Sequence, residues 1–238
     1  MKLSKATVVA AIMLIVVRAA CGNSIFSENF ESYEPGSSIS RQNGFTTVDE
    51  TAKQKQSIVE AGSFFNGGSK SLFYSDKDNA PSLLNLLVVN KSIKLSEPVV
   101  FSFDYNVLTN VQNPSLTLFA GTKAILSLNF FNVTGTVRHR SAEKLEDVAS
   151  YKLSTGLWYH VEITMGDLSG SSDTYDLRIL EGAGGSNGTE VINVKGLAFR
   201  NKGAALTHFQ FGTIANAGTG GCEFYLDNIQ IAPLSEQP

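Results

Sequence analysis

The chain has few of the residues and segments that usually reveal a reaction or a membrane location. Beyond its N-terminus it has no apolar run long enough to cross a bilayer. Its 238 residues include only two cysteines and three histidines, and His139, His160 and His208 lie far apart without the spacing of metal ligands. We therefore predict that each histidine occupies a surface or sheet-face position without a chemical role. The residues that are present predict an architecture and an export route more clearly than an activity.

The N-terminus has the outline of a secretory signal. Two lysines precede a 12-residue apolar run, Ala6–Val17, and the small residues of 19–22 follow it. Such a run is too short for a permanent transmembrane helix. We predict that residues 1–22 are a signal peptide and that residues 23–238 form one domain. That domain is expected to be secreted, periplasmic or at the cell surface.

The two cysteines leave two questions open. Cys21 follows small residues at the cleavage boundary and resembles the acylated cysteine of bacterial lipoprotein signals, although Arg18 stands where that signal has an aliphatic residue. The alternatives are a lipid anchor at Cys21 and ordinary cleavage near Ala20 or Gly22. Cys222 can pair with Cys21 in an oxidising compartment; if Cys21 is removed or acylated, we expect Cys222 to be a small buried thiol on or beside the last strand.

The charge of the exported chain argues against a nucleic-acid partner. Residues 23–238 contain 16 of the 19 basic residues and all 22 acidic residues, which gives a net charge of −6. The basic residues are scattered except for Arg138-His139-Arg140. A protein that binds a phosphate backbone would instead carry a basic patch.

Hydrophobic periodicity predicts an all-β protein. A hairpin is predicted over Leu157–Leu180, and Val99–Leu108 has the clearest alternation of apolar and polar residues. Only Ala142–Val148 has helix-forming composition, and it allows one or two turns at most. Further strands are predicted at 24–30, 44–48, 57–59, 71–74, 83–89, 115–120, 124–131, 135–140, 151–153, 191–194, 207–212 and 223–231. About a dozen short strands with polar turns are typical of a two-sheet antiparallel sandwich, in which the first and last strands are expected to be neighbours.

Several stretches in order resemble one known family. They are Asn29-Phe-Glu-Ser-Tyr33, Gly67-Gly-Ser-Lys-Ser-Leu72, Phe101-Ser-Phe-Asp-Tyr105, Gly156-Leu-Trp-Tyr-His-Val-Glu-Ile163 and Phe224-Tyr-Leu-Asp-Asn-Ile-Gln-Ile231. Together they resemble bacterial concanavalin A-like, laminin-G-like jelly-roll domains, with galactose-binding-like jelly rolls as the second choice. The resemblance implies two curved antiparallel sheets and a concave face or loop rim that binds carbohydrate.

Five residues are candidates for contact with such a ligand. Asp104 and Asn106 share the polar side of their strand, and with Arg138 or Arg140 from another strand they would hydrogen-bond sugar hydroxyls. Trp158, the sole tryptophan, would stack on a sugar ring. The plain alternatives are a solvated sheet face for the polar residues and a ring packed at a sheet edge or in the core for Trp158.

Glu31 and Asp227 are candidates for a structural calcium site. If the first and last strands are adjacent, two carboxylates and loop carbonyls would form an oxygen-only site of the kind that calcium prefers. The resemblance to calcium-stabilised carbohydrate modules supports this expectation. The alternatives are that both are ordinary exposed acids or that Asp227 hydrogen-bonds a turn.

Motifs of the catalytic members of this fold are missing from the sequence. The acidic cluster Glu143–Asp147 lacks the Glu-x-Asp-x-x-Glu spacing of laminarinase-type hydrolases, and the strand motifs of jelly-roll alginate lyases are absent. We therefore expect an exported module that binds a glycan or another cell-surface ligand without its own catalysis. The alternatives are a glycoside hydrolase or polysaccharide lyase with unrecognised catalytic residues, and a structural or adhesive surface protein.

Overall fold

Alternating apolar and polar residues pair into two antiparallel sheets. A computed structural model of the chain describes residues 24–47, 54–59, 68–76, 87–89, 97–109, 113–131, 134–168, 172–182, 188–202, 205–214 and 222–234. Strands dominate these ranges, and none of the described residues is in an α-helix. The strands are β1 Phe26–Glu28, β2 Phe45–Thr47, β3 Gln54–Val59, β4 Ser71–Asp76, β5 Leu87–Val89, β6 Val99–Val107, β7 Asn113–Ala120, β8 Lys123–Phe131, β9 Thr136–Arg140, β10 Leu145–Asp147, β11 Trp158–Met165, β12 Thr174–Glu181, β13 Thr189–Ala198, β14 His208–Ile214 and β15 Cys222–Pro233.

The order of the strands defines the two layers. The first sheet has eight strands in the order β13-β12-β11-β6-β15-β4-β3, with β1 also paired to β15. The second has seven strands in the order β10-β9-β8-β7-β14-β5-β2. The predicted two-sheet antiparallel sandwich is therefore confirmed.

The core lies between the sheets and is rich in aromatic rings. Phe101 and Phe103 of β6 meet Phe209 and Phe211 of β14 edge to face, with centroids 4.9 Å apart in the Phe101–Phe209 and Phe103–Phe211 pairs. All four side chains are buried. Edge-to-face pairs contribute about 0.5–1.5 kcal/mol each beyond the burial of apolar area, so these contacts hold the two layers together.

The predicted hairpin is confirmed as β11 and β12. Val161 lies opposite Ile179 and Ile163 opposite Leu177, and these side chains point into the core. The intervening residues of β11 are half-buried on the outward side. Alternation of this kind is what one buried and one outward face requires of an antiparallel strand.

The last strand is central to the first sheet. It pairs with β6 along one edge, while β4 and β1 share its other edge, with Phe26 of β1 opposite Ile231. The predicted adjacency of the first and last strands is thus confirmed. A bulge interrupts β15 between Asp227 and Gln230, where Asn228 has a φ of 48°. Asparagine tolerates this left-handed conformation better than most residues do.

Two predicted elements are wrong. Ala142–Val148 contains a short strand, β10, because Ser141 and Lys144 close a turn and Leu145–Asp147 then pairs with the edge of β9. Sheet pairing therefore outweighs the local helix propensity of this segment. No strand forms at 151–153, where Leu153 donates one backbone hydrogen bond to Gly135 without entering a ladder.

The ends of the chain bear on the export prediction. Residues 1–23, with the predicted signal and Cys21, lie outside the described residues, so the signal peptide and the lipid anchor stay predictions. Cys222 begins β15 and is fully buried, as expected of a small thiol in the last strand. Burial raises the pKa of its thiol, and the nearby charges of Asp76 and Glu223 act in the same direction.

The described part of the chain contains no helix with the length and hydrophobicity needed to span a membrane.

Candidate functional site

The outward side of the first sheet carries a charged and aromatic surface that we call the aromatic face. Its members are Phe73 of β4, Asp104 and Asn106 of β6, Trp158, His160 and Glu162 of β11, and Tyr225 and Asp227 of β15. Register brings them together, because β11 pairs with β6 so that Trp158 lies opposite Asn106 and His160 lies opposite Asp104. On the other edge of β6, Asp227 lies opposite Asp104.

His160 is held between two carboxylates. Its Nδ1 lies 2.6 Å from Oδ1 of Asp104, and its Nε2 lies 3.4 Å from Oε1 of Glu162. Burial alone lowers the pKa of His160, but the hydrogen bonds and charges of Asp104 and Glu162 outweigh it and raise the pKa to about 9. The ring is therefore an imidazolium at neutral pH, and both of its nitrogens have a partner.

The network continues across the sheet on both sides of His160. Nη1 of Arg178 on β12 lies 3.1 Å from Oε2 of Glu162, and Nε of the same residue donates to Glu190 of β13 at 2.8 Å. The hydrogen bond from His160 is the main cause that lowers the pKa of Glu162. Charges thus alternate in sign across four neighbouring strands, from Asp104 to Glu190.

The bulge in β15 completes the network. Because Asn228 is left-handed, its side-chain amide reaches Oδ2 of Asp104 at 2.7 Å while its backbone N–H donates to Oδ1 of Asp227 at 2.7 Å. Asp104 therefore accepts one hydrogen bond at each carboxylate oxygen, although its side chain is only 1% exposed. A buried carboxylate needs this degree of hydrogen bonding to remain charged.

Aromatic rings form a row beside these charges. Trp158 and Tyr225 are almost parallel, at 16° and a centroid distance of 6.1 Å, and Tyr225 lies 5.4 Å from Phe73. All three rings are partly exposed. Asn106 is paired with Trp158 on one side and Tyr225 on the other, and it is 5% exposed. Its Nδ2 contacts the carbonyl of Gly156 at 3.4 Å, whereas its buried Oδ1 has no hydrogen-bond partner among the residues that the structure describes.

The outward side of the second sheet is a different surface, which we call the arginine face. Its first row crosses five strands, with Gly212, Ser115, Asn129, Arg138 and Asp147 opposite one another in turn. Its second row contains Gln210, Thr117 and Ser127, and the side chain of Arg200 reaches Ser127. Glycine and serine on the central strands leave little side-chain bulk above the sheet.

Hydrogen bonding within the arginine face is sparse. Ser115 contacts the carbonyl of Gly212 at 3.5 Å, Thr117 contacts Ser127 at 3.5 Å, and Arg200 contacts Ser127 at 3.4 Å. These distances lie at the long limit for a hydrogen bond. The side-chain amides of Asn129 and Gln210 make no hydrogen bond within the described part of the chain. Arg138 forms an ion pair with Asp147 at the edge of the surface.

The structure divides the five predicted ligand-binding residues between the two faces. Asp104, Asn106 and Trp158 lie together on the aromatic face. Arg138 and Arg140 belong to β9 of the other sheet and do not join them. Asp104 and Asn106 do not lie on a solvated sheet face either, since neighbouring side chains bury both of them.

Sequence reasoning missed the partners that the sheet supplies. His160 was expected to have no role, and the importance of Tyr225, Asn129 and Gln210 was not anticipated. Two residues that point the same way on one strand can be recognised from alternation. Which residue of another strand lies opposite depends on register, which the sequence does not state.

Glu31 and Asp227 occupy different surroundings. Oε1 of Glu31 accepts hydrogen bonds from the backbone N–H groups of Ser69 and Lys70, both at 2.7 Å, and Oε2 accepts one from the Ser69 hydroxyl at 3.1 Å. Burial opposes these bonds, but together they lower the pKa of Glu31. Among the described residues no group of three or more His, Cys, Asp or Glu side chains could hold a metal ion. Glu31 therefore holds the backbone at Ser69 and Lys70 by hydrogen bonds. The calcium site stays a prediction.

Comparison with solved structures identifies the architecture. No family model matches this sequence, and no curated protein sequence does either. The chain superposes on a sialidase with a TM-score of 0.61 at 14% identity, over 89% of this chain and 18% of the sialidase chain. The fold is a concanavalin A-like jelly roll.

Two further structures of the same architecture are similar over nearly their whole length. One is the catalytic domain of a glycoside hydrolase family 131 protein from Coprinopsis cinerea, with a TM-score of 0.58 and 12% identity over 91% of this chain and 96% of that chain. The other is the PL-14 alginate lyase from Aplysia kurodai, with a TM-score of 0.56 and 11% identity over 89% of this chain and 100% of that chain. At such low sequence identities the similarity establishes the fold alone. The activity of this jelly roll has to be inferred from its own residues.

Proposed function

We propose that this jelly roll is an exported glycan-binding domain, and that its glycan lies on the arginine face. The observation that carries the proposal is the pair of amides on Asn129 and Gln210, which point outward and have no hydrogen-bond partner among the described residues. An amide offers both a donor and an acceptor, as sugar hydroxyls do. Asn129 is buried, at 3% exposure, and Gln210 is half-buried. Leaving such groups without a partner is costly unless a ligand or water supplies one.

The shape and chemistry of the surface fit a flat polar ligand. Gly212 and Ser115 carry little side-chain bulk at one end of the first row, Arg138 lies toward its other end, and Arg200 reaches the second row at Ser127. A guanidinium is a planar group with several fixed donors, which suits adjacent oxygens on a sugar. Solved structures with this fold include proteins named sialidase, glycoside hydrolase and alginate lyase, and these names denote enzymes that act on carbohydrates.

Binding fits the described residues of this face better than hydrolysis does. Glycoside hydrolases generally use a pair of carboxyl groups placed on either side of the scissile bond. Among the described strand residues that face outward on the second sheet, Asp147 is the only acid, and it is bonded to Arg138. The signal peptide predicted for residues 1–22 supports the export part of the proposal, since an exported domain would meet extracellular glycans.

A glycan array followed by calorimetric titration of any ligand found would test this proposal. Gln210→Ala and Asn129→Ala should each weaken binding about tenfold, the effect of losing one or two hydrogen bonds to a ligand. Gln230→Ala is the matched control, because Gln230 is an outward glutamine of the first sheet, opposite Ser102. Equal weakening by Gln230→Ala, or no glycan bound at all, would contradict the proposal. Release of shortened sugars would favour the hydrolase or lyase alternative.

A further inference from the structure

The row of aromatic rings on the first sheet is an apolar strip on an otherwise polar surface. Phe73, Tyr225 and Trp158 follow one another across the sheet at centroid distances of 5.4 and 6.1 Å, and each ring is partly exposed. Aromatic rings with one side against protein and one toward water commonly pack against flat apolar surfaces such as the C–H face of a sugar ring. The row is therefore long enough to meet more than one ring of an oligosaccharide.

A hydrogen-bond acceptor lies within this row. Asn106 stands between Trp158 and Tyr225 in the register of the sheet, is 5% exposed and points outward. Its Oδ1 atom has no partner among the described residues. A donor on a molecule stacked against the two rings would hydrogen-bond to this Oδ1. That bond would remove the free-energy cost of a buried acceptor without a partner.

The negative charge around the row of rings favours a ligand whose donor group is positively charged. Tyr225 is flanked on its own strand by Glu223 and Asp227, each two residues away and therefore about 7 Å along the strand. Across the aromatic face, the neighbouring Glu223 and the extension through β12 and β13, six carboxylates outnumber three cations: Asp104, Glu162, Asp176, Glu190, Glu223 and Asp227 against His160, Arg178 and Lys195. The faces of Trp158 and Tyr225 also attract a cation directly.

We propose that the aromatic face is a second ligand site, for a sugar ring that carries a protonated amine. The ring stacks on Trp158 and Tyr225, an N–H or O–H group donates to Oδ1 of Asn106, and the ammonium lies near Glu223. This site is separate from the glycan site on the arginine face, which lies on the opposite side of the sandwich and has arginines in place of an excess of carboxylates. A domain with both sites would bind two chemically different glycans at once.

Calorimetric titration of the purified protein with three oligosaccharides of equal length tests the proposal. The probes are a glucosamine oligomer, which is cationic, an N-acetylglucosamine oligomer, which is neutral, and a galacturonate oligomer, which is anionic. All three are titrated into the Gln210→Ala variant, in which binding on the arginine face is expected to be about tenfold weaker. The glucosamine oligomer should bind to this variant at least tenfold more tightly than the other two. Increasing the salt concentration should weaken this binding.

Two substitutions assign that binding to the aromatic face. Trp158→Leu should weaken the glucosamine oligomer about tenfold, and Glu223→Gln, which keeps the side-chain shape and an acceptor for the Ser75 hydroxyl, should weaken it about threefold. Because Glu223→Gln is nearly isosteric, it carries the test if Trp158→Leu does not fold. Equal or tighter binding of the neutral oligomer, no effect of Glu223→Gln, or no binding of any probe would overturn the proposal. The glycan proposed for the arginine face is unaffected by each of these results.

Discussion

The two outward faces of this jelly roll use polar residues in opposite ways. On the aromatic face the charged groups satisfy one another: Asp104 has a partner at each oxygen, His160 has one at each ring nitrogen, and Glu162 joins His160 to Arg178. On the arginine face the contacts are long, and the amides of Asn129 and Gln210 make no hydrogen bond within the described ranges. Both surfaces arise from the same alternation of residues along antiparallel strands.

This difference separates a role in stability from a role in binding. A buried charged network is expensive to break, because removal of one partner leaves the others charged and poorly solvated. Polar groups with few internal partners add little to stability but can exchange water for a ligand at low cost. In the proposal above the aromatic face binds through its rings and through Asn106, while its charged groups link β6, β11 and β15. Four predictions test this contrast.

The largest effect is expected at Asp104. Asp104→Ala leaves the imidazolium of His160 and the amide of Asn228 without their acceptor, and the free energy of unfolding should fall by about 3–4 kcal/mol. Urea unfolding measures this change. Ser102→Ala is the matched control, since Ser102 lies on the same side of the same strand, and it should cost less than about 1 kcal/mol. Similar losses for both variants would show that the network adds no stability of its own.

The stability of the protein should depend on the protonation of His160. The pKa of His160 is raised to about 9 in the folded protein from 6.5 in a free side chain. Protonated His160 therefore stabilises the folded protein fully below pH 6.5, and this stabilisation is lost as the pH rises through about 9. The free energy of unfolding should decrease by on the order of 2–3 kcal/mol between these values.

A variant isolates this pH effect. His160→Gln should flatten the dependence between pH 6.5 and 9, measured by urea unfolding at several pH values. Burial lowers the pKa of both His139 and His208, so these two histidines titrate below this window. A decrease of the same size in the His160→Gln protein would place the titration elsewhere.

Asn228 combines a backbone and a side-chain role, and its replacement should have an intermediate effect. Asn228→Ala removes the hydrogen bond to Asp104 and places a less suitable residue at a φ of 48°. A loss of about 1–2 kcal/mol in the free energy of unfolding is expected. Asn228→Gly removes only the side-chain bond and should cost less, because glycine accepts a positive φ. A larger loss for glycine than for alanine would contradict a conformational role.

The smallest effect is expected at the exposed ion pair of the arginine face. Arg138 and Asp147 are in contact, with side chains 34% and 49% exposed. Exposed pairs of this kind contribute little, so Asp147→Asn should change the free energy of unfolding by less than about 0.5 kcal/mol. Thermal and urea unfolding give this value. A loss as large as that of Asp104→Ala would remove the contrast between the faces.

Much of the fold could be predicted from single strands. The spacing of Tyr159, Val161, Ile163 and Met165 predicted β11, and the alternation in Val99–Leu108 predicted β6, because each pattern is local and has a period of two. Ala142–Val148 was mispredicted for the opposite reason. Its residues favour a helix locally, and only an available edge on β9 makes this segment a strand.

The candidate sites were harder to predict than the strands. The sequence marked Asp104, Asn106 and Trp158 as one group, and they do lie together because β11 pairs directly with β6. It also added Arg138 and Arg140 to that group, although β9 belongs to the other sheet. Alternation says which side of its own strand a residue faces, but it does not say which sheet that strand enters.

The sequence by itself determined the all-β class, the main strands and the side of each strand that faces the core, since these depend on the local order of apolar and polar residues. Tertiary structure alone decided that His160 meets Asp104, that the bulge at Asn228 completes the network, and that the two arginines of β9 lie on the opposite face. These outcomes depend on pairing between segments far apart in the chain. A shift of one residue in register would turn each of these side chains to the other side of its sheet.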